Sequence, residues 1–213
     1  MEFAIICLVA AGLSGGFING LAGFGTGLFA LGWLLQVMPP QQAVAIVVLV
    51  TVLISIPGVW KVRKHIRAER QVRFLVPALF GMPLGFGLLQ SLDMRMLSLL
   101  VAALMLVYGG YFSLQRNLPV ISGNWHSVDV GVGFLGGVLG AMSGLSGAVP
   151  SMWIALRPWP KIEQRGALQP FNILILGIMS ILMWREGIFD MTVLQAMLIV
   201  LPASLAGSLF GLW

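Results

Sequence analysis

Long uncharged stretches alternate with short polar breaks along the whole chain. Phe3 to Met38 runs for 36 residues without a charge, Gln41 to Trp60 is a second apolar stretch, and a basic run from Lys61 to Arg73 follows. Phe74–Leu92 and Met96–Leu114 come next, then a polar loop, Gln115–Ser127, containing Pro119, Gly123 and Asn124. A second long, glycine-rich stretch covers Val130 to Leu156. Leu168–Trp184 and Val193–Trp213 close the chain, bounded by the short loops Arg157–Arg165 and Arg185–Asp190. Runs of this length predict membrane-crossing helices, since a crossing takes about 20 apolar residues. Lipid offers no partner to an open backbone, and the runs lack the alternation of a β-barrel. The expected fold is an all-α polytopic bundle of about seven segments.

Composition agrees. Of 213 residues, 59% are hydrophobic and 9% charged, against about 25% charged in soluble domains. The formal net charge of +5 is concentrated in Lys61–Arg73. That pattern marks a cytoplasmic loop of a multi-pass inner-membrane protein and argues against a nucleic-acid partner. The expected partners are the lipid bilayer and a small solute, with homo-oligomerisation left open. The one cysteine, Cys7, excludes an intrachain disulfide. The start carries Glu2 and no basic residue, so residues 3 onward read as mature membrane segment rather than a secretory leader.

The two long stretches resemble each other. Gly12, Gly16 and Gly20 are spaced by four, as are Gly136, Gly140 and Gly144. Each series leads into a glycine-rich break, Gly23-Phe24-Gly25-Thr26-Gly27 or Gly144-Leu145-Ser146-Gly147. A Pro-containing loop, a span ending in Trp60 or Trp184, and then Val76-Pro77-Ala78 or Leu201-Pro202-Ala203 follow in the same order. The chain therefore divides into a first repeat (1–114), a connecting loop (115–129) and a second repeat (130–213). Met96–Leu114 has no counterpart before Trp213, so the second repeat is expected to be short of a last helix, either naturally or because the sequence is a fragment.

Charge orients the repeats. Lys61–Arg73 holds six Lys/Arg against Glu69, whereas its counterpart Arg185–Asp190 holds one Arg against Glu186 and Asp190. Arg157–Arg165 carries three Lys/Arg against Glu163, and its counterpart, Pro39–Gln42, is neutral. Matching loops thus take opposite sides, the signature of an inverted repeat. This works if each long stretch is a re-entrant hairpin of two half-helices with its glycine break at the tip near mid-membrane. The competing arrangement, parallel repeats with single tilted spans, leaves Arg157, Lys161 and Arg165 outside.

The breaks are the candidate binding elements. An interrupted helix leaves amide N–H groups without partners at a positive dipole end, which attracts anions without a buried cation. Gly23, Gly25 and Gly27 in one break, and Gly144 and Gly147 in the other, would supply these amides. Asn19, Thr26, Thr51, Ser143, Ser146, Gln169 and Asn172 would supply side-chain donors, with Thr51 and Asn172 in matched positions. Gly12, Gly16, Gly133 and Gly137 read instead as close helix-packing positions. Gly144-Leu145-Ser146-Gly147 also matches the serine motif of rhomboid proteases. No histidine lies in an apolar stretch to act as base, so no catalytic residue is expected. Neither metal ligands nor a cofactor motif is expected.

The stretches Gly15–Gly27, Pro39–Thr51, Gly136–Gly147 and Gln169–Asn172 resemble the TauE/SafE family of sulfite exporters, also called toluene-sulfonate uptake permeases. The resemblance implies transport of sulfite, sulfonates or related sulfur-containing or carboxylate anions by a duplicated helical unit. An anion channel and a non-transporting membrane scaffold are the alternative functions.

Overall fold

The computed structural model describes residues 2–114, 120–123 and 125–212. Residues 115–119 and Asn124 of the expected polar loop, and Trp213 at the end of the last expected span, lie outside the described residues. Those described form nine α-helices and one 3-10 turn, with no strand among them: α1 Glu2–Ala22, α2 Thr26–Leu34, α3 Pro40–Val62, the 3-10 turn Arg63–His65, α4 Ala68–Ser91, α5 Met94–Leu114, α6 His126–Ser143, α7 Ala148–Ala155, α8 Lys161–Arg185 and α9 Met191–Leu212. Six of these are long and apolar enough to cross a membrane: α1, α3 with its 3-10 extension, α4, α5, α8 and α9. The protein is a multi-pass membrane protein. Its outer face carries Leu106, Leu198, Phe80 and Phe210, each at least 75% exposed, an arrangement suited only to lipid.

Prolines set several helix boundaries. Pro40 opens α3 and Pro160 precedes α8, where a missing N–H leaves nothing unpaired. Pro57, Pro77, Pro83, Pro170 and Pro202 lie inside helices, as neighbouring helices allow in membrane bundles. α6 begins at His126, four residues before the expected edge, and so takes Asp129 into its first turn.

Both long glycine-rich stretches turn back on themselves, but their arms are unequal. The first pairs 21 residues of α1 with nine of α2, and the second pairs 18 of α6 with eight of α7. Each long arm therefore measures about 27–31 Å and each return arm about 12–14 Å, in place of two half-helices. The return arms fold back along the long ones: Gly15 meets Thr26 and Ala30, and Gly136 meets Ser146 and Pro150.

The bundle closes on two glycine-lined helix pairs. α1 lies along α9 and α4 along α6, both pairs running parallel, while α3 packs against α8. An ideal Cβ on Gly16 would stand 2.1 Å from the Ser204 carbonyl oxygen, and one on Gly137 2.1 Å from that of Ala78. Gly81, Gly85, Gly207 and Gly211 face carbonyls of the partner helix just as closely, at 2.2–2.4 Å. Glycine is required here because backbone meets backbone, and packing of this kind drives helix association where lipid removes the hydrophobic contribution. Gly12, Gly16, Gly133 and Gly137 thus have the packing role expected of them.

The loops gather at two ends. Glu163 accepts from Arg70 at 2.7 Å and from Arg67 at 3.0 Å. Gln71 Nε2 donates to the carbonyls of Gly166 and Ala167, and Arg70 stacks on Trp159. The two basic loops, Lys61–Arg73 and Arg157–Arg165, therefore share one end. At the other, Gln42 Nε2 donates to Asp190 at 2.8 Å, bringing the two poorly basic loops together. α3 and α8 consequently run antiparallel.

Candidate functional site

Each hairpin turns at a glycine in the left-handed region, which L side chains rarely adopt. Gly25 (φ 96°) caps the start of α2 and Gly144 (φ 69°) ends α6. Gly147 stands at the start of α7. Among the described residues, no backbone acceptor lies within reach of the N–H groups of Phe24, Gly25, Ser146 or Gly147.

The tips pass one another from opposite ends. Gly23 lies beside Gln169, eight residues into α8 from the basic end, and Gly144 lies beside Val47, seven residues into α3 from the other. Each tip therefore stops about 10–12 Å short of the end it points toward, beyond the expected midplane position. Side by side, they touch. A Cβ on Gly27 would meet the carbonyls of Ser143 and Gly144 at 3.1 and 3.2 Å, and one on Gly147 would meet the Asn172 amide at 2.9 Å and Phe24 at 3.1 Å. Between them is a pocket of about 10 Å³ lined by Gly25, Thr51, Gly144, Ser146, Gly147 and Asn172, with an apolar rim of Phe24, Leu28, Leu145, Ala148 and Leu176. That volume is about one water, so a polyatomic anion enters only if the tips move apart.

Six of the twelve expected residues line this pocket. Ser146 Oγ donates to Asn172 Oδ1 at 2.9 Å, both residues being buried, which leaves the Asn172 amide N–H₂ as a donor. Thr51 Oγ1 donates to its own helix, to the Val47 carbonyl, so it presents lone pairs to the pocket. Ser143 also bonds back, to Leu139 O, and contributes its carbonyl to the tip contact rather than its hydroxyl. Asn19 and Gln169 line a neighbouring, mostly apolar cavity of about 80 Å³ between α1, α3, α8 and α9. Asn19 Nδ2 donates to Thr26 Oγ1 at 3.0 Å and to Ser55 Oγ at 3.3 Å, tying the end of α1 to the start of α2. Gly23 makes room for the Gln169 side chain.

A family model described as sulfite exporter TauE/SafE matches residues 8–213. The chain belongs to this family. No curated protein and no solved structure matches it. The TauE/SafE match spans both hairpin tips and every residue that lines the pocket between them, so the candidate site lies wholly inside the matched region. The family is one of transporters, not enzymes. The rhomboid-like serine fits that assignment: the Ser146 hydroxyl faces an amide oxygen, which is no base.

In this TauE/SafE chain Ser55, Phe24 and Tyr108 also line the site or its approaches, and sequence reasoning missed them. At the basic end a vestibule of about 240 Å³ is lined by Lys161, Gln164, Arg165, Ser151 and Tyr108. Phe24 lies between it and the central pocket, lining both, with its ring edge-on to Tyr108 at 5.8 Å. Arg165 donates to Leu21 O at the exposed end of α1, where a cation stabilises the negative end of the helix dipole. Ser55, one turn beyond Thr51, could have been found from that spacing. Phe24 and Tyr108 could not, because an aromatic in a membrane stretch carries no local sign of its neighbours. Asp129, 4% exposed, accepts from Trp153 Nε1 at 2.7 Å and fastens the return arm α7 to α6.

Proposed function

We propose that the protein is a secondary transporter of a small anion, with sulfite, a sulfonate or a related sulfur-containing or carboxylate anion as substrate. The observation that carries this is the meeting of two glycine-broken tips, at the starts of α2 and α7, beside the Asn172 amide. Two helix N-termini and an amide N–H₂ give an anion neutral, oriented donors in place of water. The anion gains charge-assisted hydrogen bonds there without meeting a fixed counter-charge strong enough to hold it.

Two inverted repeats would carry the motion. The correspondence α1/α6, α2/α7, α3/α8, α4/α9 is supported by the pairing of α1 with α9 and of α4 with α6. The antiparallel course of α3 and α8, with like-charged loops gathered at each end, supports it further. Under this reading residues 1–114 form the first repeat, 115–129 contain the connection, and 130–213 form the second. Rocking of one repeat on the other would open the tip contact alternately to each side. The basic loop Lys61–Arg73 would face the cytoplasm of a cell whose inner membrane holds the protein. Phe24 would then separate the central pocket from a cytoplasmic vestibule.

Lys161 and Arg165 concentrate anions in that vestibule through a field that salt screens. Lys161→Gln is expected to raise the half-saturation concentration for sulfite efflux about threefold at low salt, and less at 0.5 M salt, with the maximal rate unchanged. The function itself is tested by counterflow in proteoliposomes. Labelled sulfite should overshoot when unlabelled sulfite is trapped inside; simple equilibration would instead identify a channel. Absence of any flux, with no stabilisation by sulfite, sulfonates or carboxylates in thermal unfolding, would leave a scaffold role.

A further inference from the structure

The cavity beside the central pocket differs from it in character. It lies against the last turn of α1, where Asn19 and Gly20 precede the helix end at Ala22. A helix C-terminus carries partial negative charge from unpaired carbonyls. The polar groups facing this space are oxygen-bearing and neutral: Asn19, Ser55, Gln169 and Ser208. Gln169 is only 6% exposed, and its Oε1 has no hydrogen-bond partner. A buried acceptor left unpaired is destabilising, and its amide is seated between Gly23 and Gly58, where a Cβ would come within 2.8 and 2.7 Å of Nε2. Two glycines thus make room for a side chain whose acceptor is unpaired.

One break in a helix creates two poles. The start of α2, at Gly25, lines the central pocket, and the last turn of α1, at Asn19 and Gly20, lines the second cavity, while Arg165 takes the Leu21 carbonyl on the vestibule side. We propose that the second cavity binds a monovalent alkali cation through the oxygens of Asn19, Ser55, Gln169 and Ser208. A divalent ion does not fit, because no carboxylate lines the cavity and Ca²⁺ or Mg²⁺ sites rely on carboxylates to offset dehydration. The space of about 80 Å³ takes an ion with one or two waters. The Asn19–Thr26 hydrogen bond joins the two poles. Cation and anion should therefore strengthen one another's binding, each by the same factor. That coupling rests on the anion-transport reading; the cation site itself does not.

The test is thermal unfolding of the purified full-length protein at constant ionic strength, with choline chloride replaced stepwise by NaCl, LiCl or KCl. The melting temperature should rise saturably with one or more of the alkali ions. Ser208→Ala and Gln169→Leu should each raise the half-effective concentration about tenfold, a 1.4 kcal/mol loss, and Ser55→Ala provides a third variant if either fails to fold. Identical curves in all four salts overturn the proposal, leaving a cavity that holds water only. Stabilisation that is unchanged in the variants overturns it too, by placing the ion elsewhere. Sulfite flux that ignores the cation removes the coupling and leaves the transporter standing. Cation-dependent stability without any sulfite flux supports the site and removes the transporter.

Discussion

Asn172→Ala should abolish most sulfite transport, cutting flux about 10–100-fold while the protein remains folded. Asn172 lines the pocket between the tips and accepts from Ser146, which leaves its N–H₂ as a donor. A hydrogen bond to a charged group contributes about 1.5–3 kcal/mol, and each 1.4 kcal/mol is tenfold. Asn172→Asp should be at least as severe, since it places a carboxylate where the donor stood. Gly147→Ala reaches the same point from the other side, because its Cβ would come within 2.9 Å of the Asn172 amide. Gly177→Ala, on the same helix with nothing within 4 Å of its Cβ, should leave flux unchanged. Wild-type flux in Asn172→Ala proteoliposomes would remove the central pocket from the transport route.

The largest loss of stability should come from adding one methyl group at Gly16 or Gly137. In both, the added atom would stand 2.1 Å from a partner-helix carbonyl oxygen. The obstruction is backbone, so no rotamer change relieves it, and the helices must separate along a glycine seam. Overpacking typically costs about 1–3 kcal/mol, and displacement of a whole helix puts these at the upper end, a fall in melting temperature on the order of 10 °C. Gly16→Ala acts on α1–α9 and Gly137→Ala on α4–α6, so the two losses should add. Gly131→Ala, on α6 with open space at its Cβ, should melt like wild type.

Legibility varied with the range of the interactions involved. The spans could be read from hydropathy because lipid imposes a composition on every exposed face. The packing glycines could be read because a spacing of four places Gly12, Gly16 and Gly20 on one helix face. The breaks showed as glycine clusters, but their depth did not: Gly23 stops beside Gln169 because α1 runs the full 21 residues, and arm length depends on which partner helix the glycines engage. The start of α6 was misplaced by four residues because Asp129 read as a loop charge, whereas Trp153, 24 residues on, satisfies it inside the bundle. Matched positions identified Thr51 and Asn172 as a pair. That Ser143 would spend its hydroxyl on Leu139 O depends on a rotamer, which no spacing encodes. Phe24 lines the pocket and meets Tyr108 on α5, a neighbour distant in the chain that no local pattern reveals.

Selenite, the heavier analogue of sulfite, offers the most direct test of where the anion binds. Crystals grown with it should show one dominant anomalous peak between the tips, within hydrogen-bonding distance of the amides of Gly25 and Gly147 and of the Asn172 side chain. A peak confined to Lys161 and Arg165, with the two tips still in contact and nothing between them, would contradict the account.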